Sequence, residues 1–235
     1  MTLPAIAAAA EAPQPAFSVS WGRALERFVD EQGRIDFAAI RNDPADLAEQ
    51  VAFVAQTSPE KDQPAFPSRQ SRLAYYINAY NALAMNAAAH SGLLPKSKVR
   101  FFYLGQSIVG GRKMSLYALE NKLIRPMGEP RAHFALNCMV RGCPRLPRRP
   151  FTPAALEDQL DAAAREFFNS PRHTEVDVSA HRVRFSAILK WYQKDFLAQA
   201  SSLIAYANRY RDHKIPEDFT LDFLPYDWTL NDSRP

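Results

Sequence analysis

The chain has 235 residues, 47% of them hydrophobic and 23% charged, the balance of a globular protein with a real core. Its 29 basic and 25 acidic side chains leave a net charge of +4, which gives no nucleic-acid footprint by itself. Two cysteines cannot form a four-ligand zinc site alone, and no apolar run approaches the ~20 residues of a transmembrane span.

Residues 1–17 read as a disordered tail or the remnant of a signal peptide. They are rich in Ala and Pro, with Ala-x-Ala patterns but no basic segment ahead of them. A periplasmic or secreted protein is the expectation, a cytoplasmic one the alternative, and residues 18–235 are expected to form one domain. Trp21, Leu25, Phe28 and Val29 lie at helical spacing, and Gly33 stops that helix. Arg34 to Phe37 looks like a short extended link. Asp43-Pro44 opens a second helix with Leu47, Val51 and Val54 inside.

The strongest helix runs from Ser71 to His90. Leu73, Ile77, Tyr80, Ala84 and Ala87 make one stripe; Ala74, Asn78, Asn81 and Met85 make an adjacent one. Two amides on an otherwise apolar face are costly unless hydrogen-bonded. Asn78 and Asn81 are therefore expected to point inward and to bond to backbone or side chains of residues 133–143. Phe101–Leu104 and Gln106–Val109 suggest a strand or hairpin region before Gly110-Gly111. Ser115 caps a helix carrying Leu116, Leu119, Glu120, Leu123 and Ile124, which ends at Arg125-Pro126. Thr152-Pro153 starts a helix reaching about Phe168. Residues 176–179 and 182–185 alternate as a β-hairpin. Ile188–Phe196 and Leu203–Tyr210 read as late helices, and an aromatic tail closes the chain.

Both cysteines fall in one stretch, His133-Phe-Ala-Leu-Asn137-Cys138-Met-Val-Arg-Gly-Cys143-Pro. The run Phe134–Leu136 reads as a buried strand. Gly142 and Pro144 then break regular structure, so the thiols sit at a strand end and in the loop beyond. In a continued strand His133 and Cys138 would lie about 16 Å apart, so a direct pair needs a bend between them. A buried histidine and a buried apolar cysteine are the plain structural alternative. Arg141, Arg145, Arg148 and Arg149 follow as a local basic cluster, suited to an acidic ligand or to solvent.

Five blocks now stand in order: Tyr75-Tyr-Ile-Asn-Ala-Tyr-Asn-Ala-Leu; Ser115-Leu-x-x-Leu-Glu120 ending at Ile124-Arg125; Arg131-x-His-Phe-Ala-Leu-Asn-Cys138-x4-Cys143-Pro; Lys190-Trp-Tyr-x-x-Asp195-Phe; and Tyr226-Asp-Trp-x-Leu-Asn. Together they resemble the DUF547 family from about Trp21 to Asn231. That family is named for having no assigned activity and occurs in many bacterial, often exported, proteins. Its cysteine block has small residues after the first Cys and Ser before the second, where this chain has Met139 and Gly142.

The leading reading is a cysteine-dependent hydrolase or acyl transferase using Cys138 (or Cys143) with His133 and Glu120. Asn78, Asn81, Asn137, Cys143 and Arg125 are its supporting residues. Glu120 is expected to meet His133 within hydrogen-bonding distance and fix its tautomer. The alternative is a non-catalytic module that binds a peptide or small molecule with the same polar pocket; a metal site through His133, Glu120 and a cysteine is a third reading. No cofactor is expected, and the partner is an unidentified small molecule or peptide. The expected fold is α+β, a mostly helical single domain around a small antiparallel β-sheet containing residues 133–138 and 176–185.

Overall fold

A computed structural model describes residues 16–92 and 97–234. The tail reading for residues 1–15 lies outside the described residues, while Ala16 and Phe17 pack against the core. The architecture is α+β and mainly helical.

Helix α1 (Val19–Phe28) buries Trp21, Ala24, Leu25 and Phe28. The expected extended link narrows to Ile35, which bridges Val29 and Asp232. Asp36 then accepts a bond from the Ala39 amide and starts α2 (Phe37–Asn42). After α3 (Ala45–Gln56) comes α4 (Arg69–Ser91). Ser68 and Ser71 form a reciprocal cap at its start, and Gly92 ends it in the left-handed conformation, φ 59°. Leu73, Tyr75, Ile77, Ala79, Ala82 and Met85 are all inaccessible, so α4 is enclosed on every side and organises the first apolar cluster.

Strands β1 (Ser107–Val109) and β2 (Arg112–Met114) pair antiparallel. Gly110 and Gly111 between them have φ 55° and 85°, the positive angles a two-residue hairpin demands. Phe101–Leu104, expected to belong to a strand or hairpin region, lies in a π-helical turn at Arg100–Leu104; an apolar run of four residues carries no period that separates the two. Helix α5 (Leu116–Leu119), capped by Ser115, widens into a second π turn at Glu120–Ile124. Single π turns recur at functional sites.

The expected strand at residues 133–138 is not formed. Pro130–Phe134 is a 3-10 helix, capped by the Glu129 side chain and with Pro at its first position. Ala132 to Asn137 are all buried, so the apolar run reported burial on both sides and not extension. Phe134 joins the second apolar cluster while Ala135 and Leu136 join the first. The segment thus crosses the seam between them.

The second cluster is built on α6 (Leu156–Asn169), β3 (Thr174–Asp177), β4 (Arg182–Ser186), α7 (Ala187–Trp191), α8 (Gln193–Leu197), α9 (Leu203–Asn208) and β5 (Thr220–Leu224). The β3–β4 hairpin is antiparallel as expected. The third strand of its sheet is β5, parallel to β4, with Val183 opposite Leu221 and Phe185 opposite Phe223. Past β5 the chain runs back along the cysteine loop: the Arg141 amide donates to the Thr229 carbonyl, Gly142 to Asp227, and Asn231 to Met139. Among the described residues no helix is long and apolar enough to cross a membrane.

Candidate thiol site

The cysteine loop is shaped by amides. Asn81 Nδ2 donates to the Ala135 carbonyl at 2.9 Å, and its Oδ1 accepts from the Asn137 amide at 2.8 Å. Asn137 in turn accepts from the Met139 amide at 2.7 Å and donates to the Pro144 carbonyl at 2.7 Å. Between them they turn the chain tightly enough that Met139 takes φ 70°, a left-handed conformation costing a non-glycine residue about 1–2 kcal/mol. The Met139 side chain is fully buried, so its bulk lies in the core. Asn81 behaves as the sequence stripe implied. Asn78 faces inward but holds a different segment: it bonds both backbone groups of Phe151 and accepts from the Trp21 indole.

That turn brings the two free thiols together, Cys138 Sγ to Cys143 Sγ at 2.9 Å. Cys143 collects the donors. The Cys138 amide reaches its sulfur at 3.1 Å and the Tyr226 hydroxyl at 3.2 Å, whereas Tyr226 lies 3.7 Å from Cys138. Gly142 makes this possible, since a Cβ there would come within 2.9 Å of both the Tyr226 ring and the Asp227 carbonyl. Burial works to raise the Cys143 thiol, but the Cys138 thiol, the Tyr226 hydroxyl and the loop amides outweigh it and bring it down to about 7. The Cys138 thiol, hydrogen-bonded to Cys143 and buried, moves far up. The two thiols therefore titrate as a coupled pair, with the negative charge favoured on Cys143.

His133 lies at the end of its 3-10 helix, 5% exposed, with its ring stacked on Tyr192 at 3.9 Å. Its carboxylate partner is Asp195, Nε2 to Oδ2 at 2.8 Å. The same Asp195 grips Arg125 through two bonds of 2.7 and 2.9 Å. Burial alone would raise the Asp195 carboxyl; the bonds from His133 and Arg125 hold it well below the usual carboxylate range. An ionised carboxylate only accepts, so neutral His133 carries its proton on Nε2 and leaves Nδ1 as a lone pair. That Nδ1 is buried and has no hydrogen-bond partner in the protein.

Glu120 sits on the π turn, 7% exposed. The expected Glu120–His133 bond gives way to one from the Tyr192 hydroxyl. Burial pushes the Glu120 carboxyl up; the Tyr192 hydroxyl and the Arg125 guanidinium pull it back. The helix spacing used to aim Glu120 assumed a regular turn, and the π turn alters that register.

Both thiols, His133, Glu120, Arg125, Tyr192 and Tyr226 border one cleft of about 490 Å³. Cys138, Cys143, His133, Glu120 and Tyr80 line it beside two aromatic walls. On one side Tyr103 stacks on Tyr117 at 4.4 Å. On the other Trp191, Tyr226 and Trp228 pack together, with Lys98 over the Trp228 ring at 3.8 Å. A larger cleft of about 550 Å³ shares Tyr226 but is bordered by Arg34, Arg141, Arg172 and Arg234 and by no thiol. The basic cluster of the sequence is dispersed: Arg145 pairs with Glu166 and Arg148 with Glu31. Among the described residues no group of three or more His, Cys, Asp or Glu is placed to hold a metal.

Asp195, Tyr192 and Tyr226 were absent from the residues singled out in sequence. All three fall within the last two blocks, Lys190–Phe196 and Tyr226–Asn231. Fold and cleft together define an α+β protein with a paired-thiol pocket. Residues 64–168 match the family described as "Protein of unknown function, DUF547", so the resemblance holds over the asparagine helix, the Glu120 turn and the cysteine loop. The Asp195 and Tyr226 blocks lie beyond the matched residues. No curated protein and no solved structure matches the chain.

Proposed function

We propose that the cleft carries out cysteine-dependent acyl transfer or hydrolysis, with Cys143 as the nucleophile. The observation that carries this reading is the set of donors on Cys143 Sγ, namely the Cys138 amide, the Cys138 thiol and the Tyr226 hydroxyl. They stabilise a thiolate near neutral pH, and the thiolate is the attacking form of cysteine. Cys138 becomes the proton-bearing partner and not the attacking residue. His133, its Nε2–H fixed by Asp195 and its Nδ1 free, is the base that accepts a proton from the second substrate, water or an alcohol, when the acyl group leaves sulfur. Arg125 acts through Asp195 as a positioning residue, and Glu120 positions Tyr192.

The test uses a p-nitrophenyl ester with an aromatic acyl group. Intact mass and peptide mapping should find the acyl group on Cys143 within a burst of nitrophenolate. His133→Ala should let that adduct accumulate by slowing its release at least tenfold. No adduct on Cys143, or acylation no faster than in the guanidinium-unfolded chain, contradicts the reading.

A further inference from the structure

Acyl transfer needs one sulfur, and this cleft presents two. Cys138 and Cys143 touch at 2.9 Å and both border the cleft. Their contact is built in by the Asn81–Asn137 amide cage, the left-handed Met139 and the bare Gly142. Cys138 is the more accessible of the two, while Cys143 is 3% exposed. The proton-bearing sulfur is therefore held against the atom that a first attack would modify. The cleft that both sulfurs border is walled by Tyr103, Tyr117 and Trp191, which are 51%, 42% and 48% exposed, so it opens to solvent.

We propose that Cys138 and Cys143 also work as a dithiol–disulfide couple that reduces the disulfide of a low-molecular-mass thiol entering the aromatic cleft. The proposal rests on the reading of Cys143 as the attacking sulfur, but it uses Cys138 where acyl transfer uses His133. In the first step the Cys143 thiolate attacks one sulfur of RSSR, forming Cys143–S–S–R and expelling RS⁻. The Cys138 thiol gives its proton to RS⁻, which leaves as RSH. The Cys138 thiolate then attacks Cys143 Sγ, closing the Cys138–Cys143 disulfide and releasing a second RS⁻. The protein loses two electrons and one proton, and RSSR gains the electrons to become RSH and RS⁻. The Tyr226 hydroxyl, within reach of both sulfurs, stabilises whichever one carries the charge.

The experiment mixes the reduced full chain with a modest excess of glutathione disulfide at pH 7 and follows intact mass. The wild type should lose two hydrogens, retain no glutathione, and become inert to iodoacetamide. Cys138→Ser should stop with one glutathione on Cys143, and His133→Ala should close the disulfide. A wild type that accumulates a stable glutathione adduct on Cys143 overturns the couple and leaves the thiolate reading intact. A wild type in which neither thiol reacts faster than in the unfolded chain overturns both. The wild-type mass decides the matter even if a cysteine variant fails to fold.

Discussion

Asn81 ties α4 to the cysteine loop. Its amide satisfies one donor and one acceptor of the cysteine loop, the Asn137 amide and the Ala135 carbonyl. Asn81→Ala leaves both buried and unpaired, at a cost of about 1–3 kcal/mol, to be read from urea denaturation. A loss below about 0.5 kcal/mol would mean that water replaces the amide. Tyr226 is a finer probe, because its hydroxyl touches the sulfurs while its ring fills space. Tyr226→Phe keeps the ring and removes one donor to Cys143. The pH midpoint of Cys143 alkylation should then rise while stability changes little; an unmoved midpoint would show that the loop amides alone hold the charge.

At the scale of elements, the cysteine loop is completed by the tail that pairs with it. Residues 139–142 bond to residues 227–231, and Gly142 lets the Tyr226 ring come close to the backbone. Gly142→Ala places a Cβ 2.9 Å from that ring. The tail should shift, costing about 1–3 kcal/mol, and Cys143 should lose part of its reactivity in the same variant. Wild-type reactivity in Gly142→Ala would contradict the coupling between tail and thiol. Sequence made the helices legible because their apolar periodicity and caps such as Ser115 are local. It misjudged Phe134–Leu136 because a fully buried run has no polar face to set a period. It misaimed Glu120 because a π turn leaves no mark in residue spacing. Asp195 as the partner of His133 lies 62 positions away, beyond what any local pattern encodes.

For the whole molecule, pH should act through His173, Asp195 and Glu120, with different signs. His173 stacks on Phe167 at 4.3 Å; burial first, and the Arg172 charge second, push it down to about 3. An unfolded histidine titrates near ~6.5, so the unfolded chain binds the extra proton between those values. Stability from His173 is therefore full above about pH 6.5 and is lost as pH falls toward 3, with a slope of up to about 1.4 kcal/mol per pH unit. Asp195 is depressed in the folded state, so its contribution is present above about pH 4 and fades below it. Glu120 is raised; it favours folding below about pH 4.3 and opposes it as pH rises through the raised value. Thermal melts should thus fall between pH 6.5 and 4, and His173→Phe should flatten that fall. An equally steep fall in His173→Phe would place the sensitivity elsewhere.

The chemistry of the cleft depends on which sulfur carries the charge. Residue-resolved alkylation by iodoacetamide, quantified by peptide mass across pH 5 to 10, reads this directly. The donors on Cys143 Sγ predict that Cys143 reacts first, with a midpoint at about 7, and that Cys138 follows only at much higher pH. Cys138 reacting first, or both thiols reacting together only above about pH 8.5 as free cysteines do, would contradict it.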